Sequence, residues 1–399
     1  MVMVITTCEF NDRFTRQPKP KFLYKLNFFF LPFILFITLF TLVFLNGCGA
    51  KKEASPPAET LNLKYATGFK IERLPGGYQK VTDGENRTLI LVPQGKTPQA
   101  EYKDLPVIYT PVKRVVVFST TDAALLKVLG ELDSIVGVTS KKEEWYIDKV
   151  KEGLERGTIT YLGSSMTPDY EKIKALKPEV VFIYTGAMGG SEIVKKLDEL
   201  GIPYAVNNSW LEKEPLGRLE WIKFMAAFYN KGQEAESYFE DAVKKVESLK
   251  GKVGSGQRPR VVWGSIFKGK VYVPAGGSYV ARMIDLAGGD YAFKDLEANK
   301  GGSVTISLEE FYARSKEADI FIYASSPNYG VSSLEKLVQQ GPVLADIKSV
   351  KENKVWAFQP WYYQSLDKTA EQIEDLAAIL HPASFAGYQI KHFLLLPPK

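Results

Sequence analysis

The side chains able to do chemistry in this 399-residue sequence are unevenly chosen: 2 histidines and 2 cysteines stand against 21 tyrosines, 23 phenylalanines and 6 tryptophans. Both histidines, His381 and His392, fall near the C-terminus, and no recognisable pattern of a histidine-supported serine or cysteine nucleophile occurs. His381 precedes Pro382 and reads as a residue that stabilises a helix end. A bare Zn2+ or Mn2+ site would need several histidines and carboxylates converging on one place. The sequence therefore predicts no catalytic centre, no resident metal and no cofactor. A metal that binds here should arrive inside a chelate.

What the sequence offers instead is flat apolar surface beside hydroxyls and a few cations. Tyr184, Trp210, Trp263, Tyr279, Trp361, Tyr362 and Tyr363 cluster around the ends of apolar runs. Such rings suit a macrocycle or a catechol-bearing chelate, with core packing as the alternative for each. Thr120 and Thr121 follow one such run and precede a helix, where hydroxyls and free backbone N–H groups can receive an anionic group. Of the cations Arg218, Lys268 and Arg282, Arg218 is the preferred anion partner, because Glu214-Pro215-Leu216-Gly217 places it where a loop enters a helix. A surface arginine is the alternative. Gly264–Lys270 (GSIFKGK) imitates a phosphate-binding loop, but Val271 stands where Ser or Thr is needed and the next residues read as strand rather than helix. Asn207-Asn208-Ser209 matches a glycosylation pattern that carries no further signal.

Positioning these residues requires a folded α/β body. Composition is that of an ordinary folded protein, at 45% hydrophobic and 24% charged. Residues 61–110 read as short strands and turns, a β-rich N-terminal extension with turn pairs at Gly76-Gly77 and Asp83-Gly84. Residues 111–231 alternate strand and helix: β-branched runs at Arg114–Phe118, Ile135–Val138, Val180–Tyr184 and Tyr204–Val206, with helices at Asp122–Leu129, Tyr170–Leu176 and Glu192–Leu200 between them. Residues 232–251 form one long helix with an apolar stripe at Ala235, Tyr238, Phe239, Ala242, Val243, Val246 and Leu249. Residues 258–385 make a second α/β lobe, with strands at Val261–Trp263, Ile320–Tyr323 and Val355–Phe358, and 386–399 form a tail.

The N-terminus carries a separate message. Phe28–Leu45 contains no charge and follows a basic stretch, the pattern of an export segment spanning residues 1–47, with an uncleaved anchor helix as the alternative. Leu45-Asn46-Gly47-Cys48 resembles the bacterial lipobox, departing from it at Asn46, and makes Cys48 the candidate for lipidation. Residues 48–60 are polar and proline-containing, as a tether should be. Net charge is +5, and the basic leader leaves only about +2 on the rest, which gives no reason to invoke nucleic acid.

The lobes also contain a weak repeat: TPDYEKIKALKPEVVFIY from Thr167 and TISLEEFYARSKEADIFIY from Thr305 align with one inserted residue, placing Glu171 and Glu309 at the same helical position. Asp169 is the expected N-cap of the first helix, and Ser307 with Glu310 a capping box in the second. These segments, with RVVVFSTTDAALLKVLGELDSIVGVT, LAGGDYAFKDL and DLAAILHPASF, resemble in order and spacing the substrate-binding lipoproteins of ABC importers for ferric siderophores, heme and cobalamin. The resemblance covers Arg114–Phe385. It implies two Rossmann-like three-layer α/β lobes joined by a single long interdomain helix, with a chelated-metal ligand in the cleft between them. It further implies a monomer tethered by lipid outside the cytoplasm, a partner ABC permease dimer, and Glu171 and Glu309 as its docking acids. A sensor lipoprotein, and an envelope chelatase or hydrolase on the same scaffold, are the rival readings. Closure about a long helix should be modest.

Overall fold

The structure, a computed structural model, describes residues 58–186, 190–253 and 256–399. Phe28–Leu45, Asn46 and Cys48 lie outside the described residues. The described chain belongs to one compact unit that begins at Pro57.

The N-terminal extension is a five-stranded sheet in chain order: β1 (Glu59–Thr60), β2 (Lys70–Arg73), β3 (Gln79–Thr82), β4 (Thr88–Pro93) and β5 (Val107–Thr110). Only the β4–β5 pair is parallel. The apolar run Leu89–Val92 is fully buried in it.

The first lobe carries β6 (Val115–Val117), α1 (Thr120–Leu129), β7 (Ile135–Val138), α2 (Asp148–Glu155), β8 (Thr160–Tyr161) and a small hairpin, β9 (Gly163–Ser164) with β10 (Thr167–Pro168). It continues through α3 (Tyr170–Ala175), β11 (Val180–Ile183), α4 (Gly190–Leu200), β12 (Tyr204–Val206) and α5 (Pro215–Ala227). Its sheet is parallel throughout, in the order β12-β11-β6-β7-β8. Ser119 caps α1 by accepting from the Thr121 N–H, and Gly130 ends that helix at φ 72°, a left-handed conformation glycine tolerates without a Cβ clash.

Helix α6 (Gly232–Val253) is the expected long helix, 22 residues or about 33 Å at 1.5 Å each. Its stripe packs on α5 of the first lobe and on a C-terminal helix of the second. The second lobe follows with β13 (Arg260–Phe267), β14 (Lys270–Pro274), α7 (Tyr279–Leu286), β15 (Asp290–Tyr291), β16 (Ser303–Ile306), α8 (Leu308–Ser315), β17 (Ile320–Tyr323), α9 (Leu334–Gln339), α10 (Lys348–Lys351), β18 (Val355–Phe358), α11 (Thr369–Leu380) and β19 (Phe393–Leu395). Parallel strands β15, β13, β17 and β18 form its centre, flanked by antiparallel β14, β16 and β19. The GSIFKGK segment is indeed part of the β13–β14 hairpin.

Two features differ from the sequence expectation. Residues 386–399 are not a loose tail: β19 completes the sheet edge, and the fully buried Asp375 accepts from Tyr388 Oη (2.7 Å), the Lys391 N–H (3.0 Å) and both the N–H and Nδ1 of His392 (2.6 and 2.9 Å). The lobes also meet beyond α6. Lys127 of α1 pairs with Asp367 at 3.0 Å, Tyr238 of α6 donates to the Asp367 carbonyl at 2.8 Å, and Gln364 exchanges hydrogen bonds with Tyr146 N–H and the Glu144 carbonyl.

The extension is fastened by charge. Glu220 of α5 has no exposed surface and accepts from the backbone N–H groups of Lys64, Tyr65 and Ala66 at 2.8–3.1 Å and from Lys223 Nζ at 2.9 Å. A buried carboxylate is tolerated only when its acceptors are filled this way. Glu220→Ala should therefore lower unfolding stability by about 3 kcal/mol, because it strands three N–H groups and leaves the buried Lys223 ammonium with Glu236 as its remaining carboxylate, at 3.0 Å. Urea denaturation measures this, and a loss below about 0.5 kcal/mol would show that the carboxylate does not hold the segment.

Candidate functional site

Ligands of parallel α/β sheets gather beyond the carboxyl ends of the strands, where the strand order reverses. In the first lobe β6 is the reversal point, and Ser119 and Thr121 follow it, with Tyr184 after β11 and Asn207 after β12. In the second lobe Trp263 and Ser265 lie in β13, Ala324 follows β17 and Phe358 ends β18. These positions face one cavity of about 410 Å3. A preformed cleft of this size lies within the usual range for small-molecule sites.

Its lining is aromatic and neutral with one exception. Tyr184, Trp210, Trp263, Tyr279 and Tyr363 supply rings, and Ser119, Thr121, Ser209, Ser265 and Ser303 supply hydroxyls. Among the described residues no carboxylate and no histidine lines it, and no group of three or more metal-ligating side chains occurs. The single formal charge is Arg218, 9% exposed. Its guanidinium stacks over the Tyr279 ring at 3.9 Å, its Nε is buried without a hydrogen-bond partner, and no carboxylate pairs with it among the described residues. Glu214, one helical turn earlier, is drawn away instead by Arg282 of α7 at 3.3 Å. Arg282 is thus fully engaged, with Asp285 as its second partner, and lies outside this cavity; Lys268 sits in the β13–β14 turn beside Phe267.

A family model for periplasmic binding proteins matches residues 115–360. The chain belongs to that family. A curated lipoprotein of Methanocaldococcus jannaschii, described as uncharacterised, is 38% identical over 295 residues, 72% of this chain and 70% of its own length. Among solved structures, a periplasmic heme-binding protein of Pseudomonas aeruginosa is similar at a TM-score of 0.56 and 18% identity, over 72% of this chain and 97% of that one. A molybdate periplasmic binding protein of Haemophilus influenzae is similar at 0.58 and 19%, over 78% and 94%. These likenesses establish the two-lobed α/β fold expected from the sequence.

Within this periplasmic binding protein the structure gathers Thr121, Tyr184, Trp210, Arg218, Trp263, Tyr279 and Tyr363 at one cleft, and leaves Thr120, Trp361 and Tyr362 outside it along with Lys268 and Arg282. Thr120 is the first residue of α1, between two cleft residues, and successive helical positions diverge by about 100°. Tyr362 is core: it is 4% exposed and stacks on Phe358 at 3.9 Å. Trp361 turns to a separate depression beside Tyr146, 6.1 Å away. Sequence reading missed Asn207, Ser209, Tyr272 and Ser303 as lining residues. The rule of reading just past each strand applies equally to β12, where a glycosylation-like pattern had absorbed Asn207.

Glu171 and Glu309 are exposed second residues of α3 and α8, and neither pairs with a cation among the described residues. Asp169 caps α3 by accepting from the Lys172 N–H at 3.0 Å, and Ser307 caps α8 through the Glu310 N–H at 3.1 Å. The expected capping box is only half formed, because the Glu310 carboxylate turns to Arg314 at 3.5 Å. The Glu309 backbone amide and then Ser307 hold the Glu309 carboxyl below its ordinary range.

Behind the cleft, Asp122 is 2% exposed; its Oδ1 accepts from Asn207 Nδ2 at 2.7 Å and its Oδ2 has no partner. Burial pushes this carboxyl from 3.8 up to about 8, against the weaker opposing pull of Asn207. The folded state therefore holds the proton more tightly than the unfolded chain, and stability falls as pH rises from about 4 to about 8. Asp122→Asn should flatten that slope, gaining stability relative to the parent at pH 8 compared with pH 5. Parallel slopes for the two proteins in urea titrations across this range would contradict the assignment.

Proposed function

We propose that this chain is an extracytoplasmic binding lipoprotein, tethered through Cys48, that captures an anionic chelated metal in the interlobe cleft and delivers it to an ABC permease dimer. The observation that carries this reading is Arg218: a nearly buried guanidinium whose Nε has no partner among the described residues, in a cavity otherwise lined by neutral residues, mostly rings and hydroxyls. Burying an unpaired charge is costly, and an anionic ligand removes the cost on binding. Aromatic walls add apolar contact to a planar macrocycle or a catechol. A lining that holds no carboxylate or histidine among the described residues supports capture of the metal inside its chelate rather than bare. Catecholate and carboxylate ferric siderophores and heme, which bear negative groups, fit the lone cation better than a corrinoid does. The lipoprotein name of the Methanocaldococcus relative supports the tether.

Delivery is assigned to Glu171 and Glu309. Each is an exposed carboxylate, unpaired among the described residues, at the same position of a short helix, one per lobe. Two such acids can pair with arginines on two permease subunits, so that docking senses the distance between the lobes.

A thermal-shift screen of the purified protein against ferric siderophores, hemin, corrinoids and free divalent metals tests the cargo. The midpoint should rise with an anionic chelate, corresponding to about 2.7 kcal/mol at a hundredfold excess over Kd, and Arg218→Met should lose most of that rise. A rise with bare metal alone, or an unchanged rise in the variant, would overturn the reading. In cells, Glu171→Ala with Glu309→Ala should abolish uptake while leaving affinity intact; normal uptake would remove the docking role.

A further inference from the structure

The wall of the cleft that carries Trp210 is not held by its own lobe alone. It belongs to the loop Asn207–Glu212 that follows β12, and two segments preceding the family-matched residues 115–360 grip that loop. On one side is the β3–β4 turn. Asp83, 1% exposed, accepts from the N–H groups of Glu85 and Arg87 at 3.0 Å, which shapes the turn, and from the Val206 N–H at 3.1 Å, which ties it to the end of β12. The Gly84 N–H donates to the Val206 carbonyl at 2.9 Å, and Asn208 Nδ2 donates to the Gly84 carbonyl at 3.1 Å.

Asn208 passes this restraint on. Its Oδ1 accepts from the Thr185 N–H and its Nδ2 reaches Thr185 Oγ1, both at 2.8 Å, while the Thr185 carbonyl accepts from Trp210 Nε1 at 3.1 Å. Thr185 Oγ1 in turn donates to Glu85. On the other side of the loop, Glu212, 4% exposed, accepts from the N–H groups of Thr67 and Gly68 at 2.9–3.1 Å and from Trp221 Nε1 at 2.9 Å. Thr67 and Gly68 end a strap, Lys64–Gly68, whose first three N–H groups are gripped by Glu220, two residues beyond Arg218.

We propose that the N-terminal sheet is a structural part of the ligand site: its β3–β4 turn and the strap Lys64–Gly68 brace the loop Asn207–Glu212 from two sides, and Asp83 and Glu212 are positioning residues for Trp210. The ligand arm of this proposal rests on the cleft being the binding site; the positional arm does not. Clearances at the brace are small. A Cβ at Gly84 would stand 2.8 Å from the Asn208 Cβ, and one at Gly186 would stand 2.9 Å from the Trp210 ring. Gly84→Ala is therefore a wedge that moves the loop without altering any cleft side chain.

The test uses the full chain with and without Gly84→Ala, each prepared both with Trp210 and with Trp210→Phe, so that the Trp210 emission is obtained by difference. Gly84→Ala should shift the Trp210 emission and raise its quenching by acrylamide about twofold, and Glu212→Gln should do the same more weakly. With hemin as probe, Gly84→Ala should weaken binding about tenfold in the parent and by much less in a Trp210→Ala background, the non-additivity expected of coupled sites. Should Gly84→Ala fail to fold, Asp83→Asn replaces it as the isosteric lesion of the same turn. Unchanged Trp210 emission and quenching in these variants would overturn the brace. Altered emission in a parent that does not bind hemin would uphold the brace and count against a heme ligand alone.

Discussion

The cleft depends on one guanidinium, that of Arg218, which has no carboxylate partner among the described residues. An arginine without a counter-charge in a largely buried position is unfavourable, and the sequence contains the remedy one turn away, because Glu214 stands four residues before Arg218. The fold withholds it: Arg282 of the other lobe takes the Glu214 carboxylate, and Arg218 is left with the face of Tyr279. Cation–π contact offsets part of the desolvation but supplies no acceptor for the N–H groups. Stability given up in this way is characteristic of a site waiting for a ligand.

Holding such a group in place demands a rigid surround, and buried carboxylates provide it. Helix α5, which carries Arg218, is buried along all 13 residues and is fixed to the strap through Glu220. Trp221 and Phe224 of the same helix pack on Phe69 at 4.7 and 5.6 Å. Across the lobes, α6 is assisted by the Lys127–Asp367 pair and by the contacts of Gln364. With the lobes fastened at several points, the cleft is substantially preformed, and affinity depends less on hinge closure than on the groups already lining it.

Much of this was legible in the sequence, for physical reasons. Strands β7, β12, β17 and β18 coincide with their apolar runs because β-branched and aromatic residues buried on both faces leave an unbroken signal. Helix α6 was readable because one stripe faces the core and the other faces water. Of helix α5 only the start was readable, from the Pro215 context before Arg218, since burial on every side erases the stripe that would mark its length. Arg218 stood out by its loop-to-helix context, yet its isolation depends on where Arg282 comes to lie, and no local pattern encodes that. Trp361 and Tyr362 show the limit of ring-counting: adjacent residues after one strand enter a surface depression and the core, while Tyr363 alone reaches the cleft. The brace from the N-terminal sheet was equally hidden, because Asp83 and Glu212 are each unremarkable until tertiary contacts bring them to one loop.

The central claim is that a lone cation in a neutral aromatic cleft selects an anionic chelate. Titration calorimetry with a set of ferric chelates sharing one scaffold but differing in net charge tests it most directly. Affinity should rise about tenfold, or about 1.4 kcal/mol, as a neutral chelate gains a carboxylate that can reach the guanidinium. Equal affinity across the set, or tighter binding of the neutral or cationic members, would contradict it.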